Sequence, residues 1–138
     1  MGQRFDTLQQ RGVVFDPAPQ KTIEALMPAG TSETTVIDLR LAGGVFGLDT
    51  DAAWEPNHIS FMGSYDGVTF KPILTEWCEE ATLPNTIATQ VPADSSMYVG
   101  TDTLLNLMRF QFLKVRSGTA SAPVNQTQNT TITLVCRT

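Results

Sequence analysis

The chain has 138 residues, of which 41% are hydrophobic and 17% charged, and its formal net charge at pH 7 is −5. This length fits one domain with its own core, and the negative charge repels phosphate backbones and anionic lipid headgroups. We therefore expect neither nucleic acid nor a membrane among the partners, and the sequence contains no apolar run long enough to span a bilayer.

The first 20 residues predict an extended arm that precedes the domain at residues 21–138. They end in "DPAPQ", and its two prolines favour extended backbone and remove two N–H donors. The arm is too apolar for a solvated tail, so we expect it to lie against its own domain or a neighbouring subunit. The interface candidates are Phe5, Leu8, Val13, Val14 and Phe15.

From Thr34 onward, the sequence has the pattern of an all-β protein, because short apolar runs are separated by clusters of Gly, Pro, Asn, Asp and Ser. Ile37, Leu39 and Leu41 alternate with polar residues, which predicts a strand with one buried face. The run "TITLVCR" at residues 131–137 alternates in the same way and predicts another such strand. About eight such strands without intervening helices favour an antiparallel two-sheet β-sandwich, jelly-roll-like in topology.

The clearest local signal is the stretch "HISFMGSYDGVTFKPI" at residues 58–73. Asp66 and Gly67 stand between two alternating runs, which predicts a hairpin with a type I′ turn. We interpret the pair as a structural turn and not as a binding site. Pro72 cannot donate to a β-ladder, so its strand is expected to be an edge strand or to be bulged.

The titratable residues form no recognisable catalytic motif. His58 has no nucleophile motif beside it, and a turn or surface role is the better interpretation. Glu79 and Glu80 are adjacent, so in extended chain they point to opposite faces. Asp49 and Asp51 leave a calcium site open as an alternative. We assign no catalytic, cofactor-binding or metal-ligating residue and expect no enzymatic activity.

The aromatic residues with surface potential are Trp54, Tyr65, Trp77 and Tyr98. Exposed Trp and Tyr side chains can stack on sugar rings or anchor a protein interface. The alternative is that the two tryptophans cap the ends of the core.

Two cysteines, Cys78 and Cys136, lack the spacing of a metal site. The N-terminal residues contain no apolar stretch of secretory-signal length. We therefore favour two reduced thiols over a disulfide, although the pairing stays open.

Two segments resemble a group of small tailed-phage and prophage proteins: "AAWEPNHISFMGSYDGVTFKPI" and "FLKVRSGTASAPVNQTQNTTITLVCR". The shared features are a Trp before the first strand, S-x-D-G-x-x-F, and R-S-G-T, in this order over roughly residues 36–137. The S-x-D-G-x-x-F stretch is also similar to a structural hairpin of discoidin-like and carbohydrate-binding jelly rolls.

The phage resemblance implies a virion structural component of the capsid decoration or cement type. Its expected partners are the major capsid protein and copies of itself, with a trimer as the family analogy, and its expected location is the virion, assembled in the host cytoplasm. The alternative is a tail or vertex module that recognises a host surface glycan. No cofactor is implied.

Overall fold

The computed structural model describes residues 20–73, 90–99 and 107–137, together with the backbone of two short N-terminal strands. These two strands, β1 (Thr7–Leu8) and β2 (Gln10–Arg11), pair with each other. The remaining strands are β3 (Gln20–Met27), β4 (Ile37–Asp38), β5 (Gly44–Thr50), β6 (Ile59–Ser64), β7 (Lys71–Pro72), β8 (Ser96–Tyr98), β9 (Phe112–Ser117) and β10 (Thr130–Arg137).

The eight strands from β3 to β10 form two antiparallel sheets of four strands each. The first sheet has the order β3-β10-β5-β8, and the second has the order β4-β9-β6-β7. This arrangement confirms the prediction of an all-β chain with two antiparallel sheets.

Period-two alternation along the strands turns one face of each sheet toward a shared core. In β10, Ile132, Leu134 and Cys136 are fully buried, whereas the residues between them are partly exposed. In β9, Leu113 and Val115 are also fully buried. Side chains from both sheets therefore contribute to one hydrophobic cluster.

Cys136 is a free thiol on an inner strand of the first sheet. Its strand, β10, lies between β3 and β5, and burial raises the pKa of the thiol. Cys78 lies outside the described residues, so its predicted state remains a prediction.

The alternation expected at Ile37, Leu39 and Leu41 ends earlier than predicted. Ile37 and Leu39 are buried, but Leu41 is 80% exposed. The strand β4 ends at Asp38, and the amide of Ala42 donates to the carbonyl of Leu39 at 3.0 Å. The chain reverses there, so Leu41 projects from a turn and the prediction of its burial is wrong.

The prediction for Pro72 is confirmed, because β7 is the outer strand of the second sheet. It pairs with β6 through Met62–Pro72 and Gly63–Lys71, and its other side faces away from the sheet. A proline is accommodated there because an edge strand needs no donor on its outer side.

Candidate interaction surfaces

The loop between β6 and β7 is held together by two side chains. The Ser64 hydroxyl oxygen accepts the amide N–H groups of Asp66 at 3.2 Å and of Gly67 at 2.9 Å. Asp66 Oδ1 accepts the amides of Val68 at 2.8 Å and Thr69 at 2.9 Å, together with the Ser64 hydroxyl at 2.8 Å. Asp66 therefore has a structural role in this turn.

The turn is longer than a type I′ hairpin. Residues 64–70 lie between Gly63 and Lys71, the last paired residues of the two strands, and Gly67 has a φ of 78°. Of the described residues other than glycine, only Asp94 has a positive φ, so Asp66 lacks the conformation that type I′ requires. That prediction of the turn type is wrong, because side-chain hydrogen bonds close the loop instead.

The Asp66 carboxylate predicts a specific pH dependence of stability. The amides of Thr69 and Val68 and the Ser64 hydroxyl lower its pKa from the ordinary 3.8 to about 2. A carboxyl group whose pKa falls on folding stabilises the protein above its unfolded-state pKa, and this stabilisation is lost as the pH falls through the folded-state pKa.

We therefore expect wild type to be more stable than Asp66→Asn at pH 6, with the difference shrinking between about pH 4 and pH 2. Urea denaturation at a series of pH values measures this difference. A difference that stays constant down to pH 2 would contradict the assignment.

An aromatic pair lies beside this loop. The rings of Tyr65 and Phe110 stack with their centroids 5.1 Å apart and an angle of 29° between their planes, and Tyr65 is 64% exposed. The Phe110 ring lies over the backbone of Gly63, where a Cβ would come within 2.6 Å of the ring carbons. Glycine at position 63 therefore allows this close approach.

The aromatic pair borders a cleft of about 230 Å³ whose other lining includes Ser64, Asp66, Thr69 and Lys71. A ring face beside hydroxyl, carboxylate and ammonium groups can stack on a sugar and bind its hydroxyls. The sequence had marked Tyr65 only as one of several aromatics. Phe110 was missed because the stretch "MRFQF" has the pattern of an ordinary strand.

A second surface is the outer side of the first sheet. Tyr98 is 86% exposed on β8, next to Gly47 of β5. Asp49, also on β5, pairs with Thr133 of β10 on one side and with Ser96 of β8 on the other. Asp49 Oδ1 is buried and has no hydrogen-bond partner within the described part of the chain.

Among the described residues, Asp49 and Asp51, the residues of the calcium alternative, belong to no cluster of metal ligands. Asp51 uses both carboxylate oxygens for backbone amides, accepting Ala53 at 3.1 Å and Thr131 at 2.8 Å. Within the described ranges, no three His, Cys, Asp or Glu side chains are grouped so that they could hold a metal ion.

The other predicted residues are divided between the core and the undescribed segments. Trp54 is 2% exposed and donates its indole N–H to the Val91 carbonyl at 2.8 Å, so it belongs to the core and presents no face to a ligand. This corrects the surface interpretation of Trp54. The candidates outside the described residues are Trp77, Glu79, Glu80, Phe5, Val13, Val14 and Phe15, and for Leu8 only the backbone, in β1, is described.

The structure also contains a buried amide that the sequence did not reveal. Gln126 is fully buried, and its Oε1 accepts the Glu55 amide at 2.7 Å. Its Nε2 donates to the Glu55 carbonyl at 3.0 Å and to the Ser117 hydroxyl at 3.1 Å. One side chain thus joins the end of β9, nine residues away, to the backbone of Glu55, which is 71 residues away.

The third surface is the outer edge of β3, the longest edge strand of the two sheets, which is open in that no further strand pairs with it among the described residues. It has eight residues, whereas the other edge strands, β4, β7 and β8, have two, two and three. An unpaired edge of this length is a template for another strand.

Comparison of the chain with family models, with curated proteins and with solved structures finds no match in any of the three. The described residues include no helix of the length and apolarity that a membrane crossing requires.

Proposed function

We propose that the chain is a structural protein of a tailed-phage virion, of the capsid decoration or cement type. In this role it binds the major capsid protein and other copies of itself and stabilises the head shell through subunit contacts. The observation that carries the proposal is the order of the strands in the two sheets.

That order supports a jelly-roll β-sandwich, which is the finer form of the fold that we propose. From β3 to β6 the chain changes sheet at every strand, and after β7 it does so again for β8, β9 and β10. The neighbours β3-β10-β5-β8 and β4-β9-β6-β7 are what two interlocked Greek keys produce. Jelly rolls of eight strands form viral capsid and lectin domains.

The surface chemistry suits a protein that works in an array. Charged residues make up 17% of the chain, below the roughly 25% of ordinary soluble domains. An open strand edge and scattered exposed aromatics provide several weak contacts. Many copies on a symmetric shell bind with avidity, so no single contact has to be strong. In this role the protein is part of the virion and has no catalytic function.

Copy number tests this proposal. We expect quantitative mass spectrometry of purified particles to find hundreds of copies, in a fixed ratio to the major capsid protein. Absence from the particles would overturn the proposal. A dozen copies or fewer would remove the protein from the shell and favour the second function.

The second candidate is recognition of a host surface glycan by a tail or vertex module. The cleft beside Tyr65 and Phe110 favours it, because an exposed ring lies next to the side chains of Asp66 and Lys71. On a glycan array, Tyr65→Ala should lose binding that wild type shows. Tyr98→Ala is the matched control, because Tyr98 is also exposed but does not line this cleft.

A further inference from the structure

We infer that the open edge of β3 pairs with β3 of a second copy, antiparallel and with the two-fold axis at Thr22. This deepens the proposed function by naming a self-contact. It is tested on the isolated chain, so its failure and a failure of the copy-number test are distinguishable.

One hydrogen bond identifies the backbone groups that face outward from β3. The Leu26 carbonyl accepts the Thr35 amide at 2.9 Å, so it points away from β10, which pairs with the opposite side of the strand. Backbone groups alternate in direction along an antiparallel strand. The N–H and C=O groups of Gln20, Thr22 and Glu24 therefore point to the same open side as the Leu26 carbonyl.

The two-fold register at Thr22 is the one that uses all three open residues. Thr22 faces Thr22 of the second copy, and Gln20 faces Glu24 of the second copy on each side of the axis. Each pair of facing residues exchanges two hydrogen bonds, which gives about six across the interface. Moving the axis to Glu24 would place two carboxylates opposite each other and would require the Leu26 carbonyl, which Thr35 already uses.

The side chains on this edge are compatible with the same register. Gln20, Thr22 and Glu24 are all exposed and lie on one face of β3. A Gln20 amide can donate to the Glu24 carboxylate of the second copy, and a Thr–Thr pair is favourable across antiparallel strands. The contact is thus self-complementary, as a two-fold interface requires.

Disulfide trapping tests the register. Across a hydrogen-bonded antiparallel pair the Cα atoms lie about 5.5 Å apart, which is within disulfide range. Thr22→Cys should therefore form a covalent dimer under mild oxidation, seen by non-reducing electrophoresis. Glu24→Cys is the matched control on the same face, because its symmetry mate would lie about four residues along the strand, or ~13 Å away. Equal cross-linking of the two variants, or more with Glu24→Cys, would overturn the inference.

A proline substitution tests the pairing without a cross-link. Thr22→Pro removes an N–H that the β10 ladder does not use, so the monomer should keep its circular dichroism spectrum. By analytical ultracentrifugation we expect Thr22→Pro to weaken dimerisation at least tenfold, and Thr22→Ser, which keeps the N–H, to leave it unchanged. A wild-type chain that stays monomeric at all concentrations, or an unaffected Thr22→Pro dimer, would overturn the inference.

Discussion

Replacement of Gly118 by alanine is expected to destabilise the protein by about 3 kcal/mol or more. Gly118 has a φ of 92°, a left-handed conformation that L side chains rarely adopt. A Cβ at this position would lie 2.8 Å from the Val124 amide nitrogen and 3.0 Å from the Pro123 Cα. Both of these atoms belong to the backbone, so the clash is relieved only by moving the chain.

The surrounding hydrogen bonds explain why that movement is costly. The Gly118 amide donates to the His58 carbonyl at 2.7 Å, and the Gly118 carbonyl accepts the Ser60 hydroxyl at 2.9 Å. The Val124 amide donates to the Ser117 carbonyl at 2.9 Å. Displacement of the loop would therefore break contacts to both β6 and β9.

Gly30→Ala is the matched control for this prediction. Gly30 also has a positive φ, 80°, but a Cβ there would meet no atom within 4 Å. Its substitution should cost only the conformational penalty of about 1–2 kcal/mol. Urea denaturation of both variants measures the difference, and similar losses for the two would show that the steric clash at Gly118 is absorbed by the loop.

Gln126→Leu is expected to destabilise the protein by about 3 kcal/mol, although it exchanges a polar buried side chain for an apolar one of similar size. The leucine cannot replace the bonds to the Glu55 amide and carbonyl, nor the bond to the Ser117 hydroxyl. Buried polar groups that lose their partners keep the penalty of having left water.

The comparison with Gln128→Leu isolates this effect. Gln128 lies two residues away in the same loop, but its side chain is exposed. We expect its substitution to change the free energy of unfolding by less than about 0.5 kcal/mol. Equal effects at the two positions would contradict the role assigned to the Gln126 amide.

The sequence predicted those parts of the fold that depend on neighbouring residues. Alternation in "TITLVCR" identified the buried face of β10, and the missing donor of Pro72 identified an edge strand. Both arguments need only a few adjacent residues. The fold class followed because many short strands without helices leave few other architectures.

The parts that were missed depend on contacts between residues distant in sequence. The bond from Gln126 to Glu55 spans 71 residues, and nothing near "VNQTQ" indicates that one of its two glutamines is buried. The carbonyl that accepts the buried indole N–H of Trp54 is likewise distant, 37 residues away. The reversal after Leu39 was missed because alternation continues through Leu41 in the sequence but not in the chain path.

The buried thiol of Cys136 is a built-in chemical probe of local opening in the core. A thiol reacts as the thiolate, and burial both shields this sulfur and disfavours its ionisation. Because the Cys136 side chain lies in the core cluster, a reagent reaches the sulfur only when β10 or the elements that cover this core move away. The rate of its modification therefore reports how often the core opens at β10, and a partner that holds the neighbouring strand β3 in place should slow it.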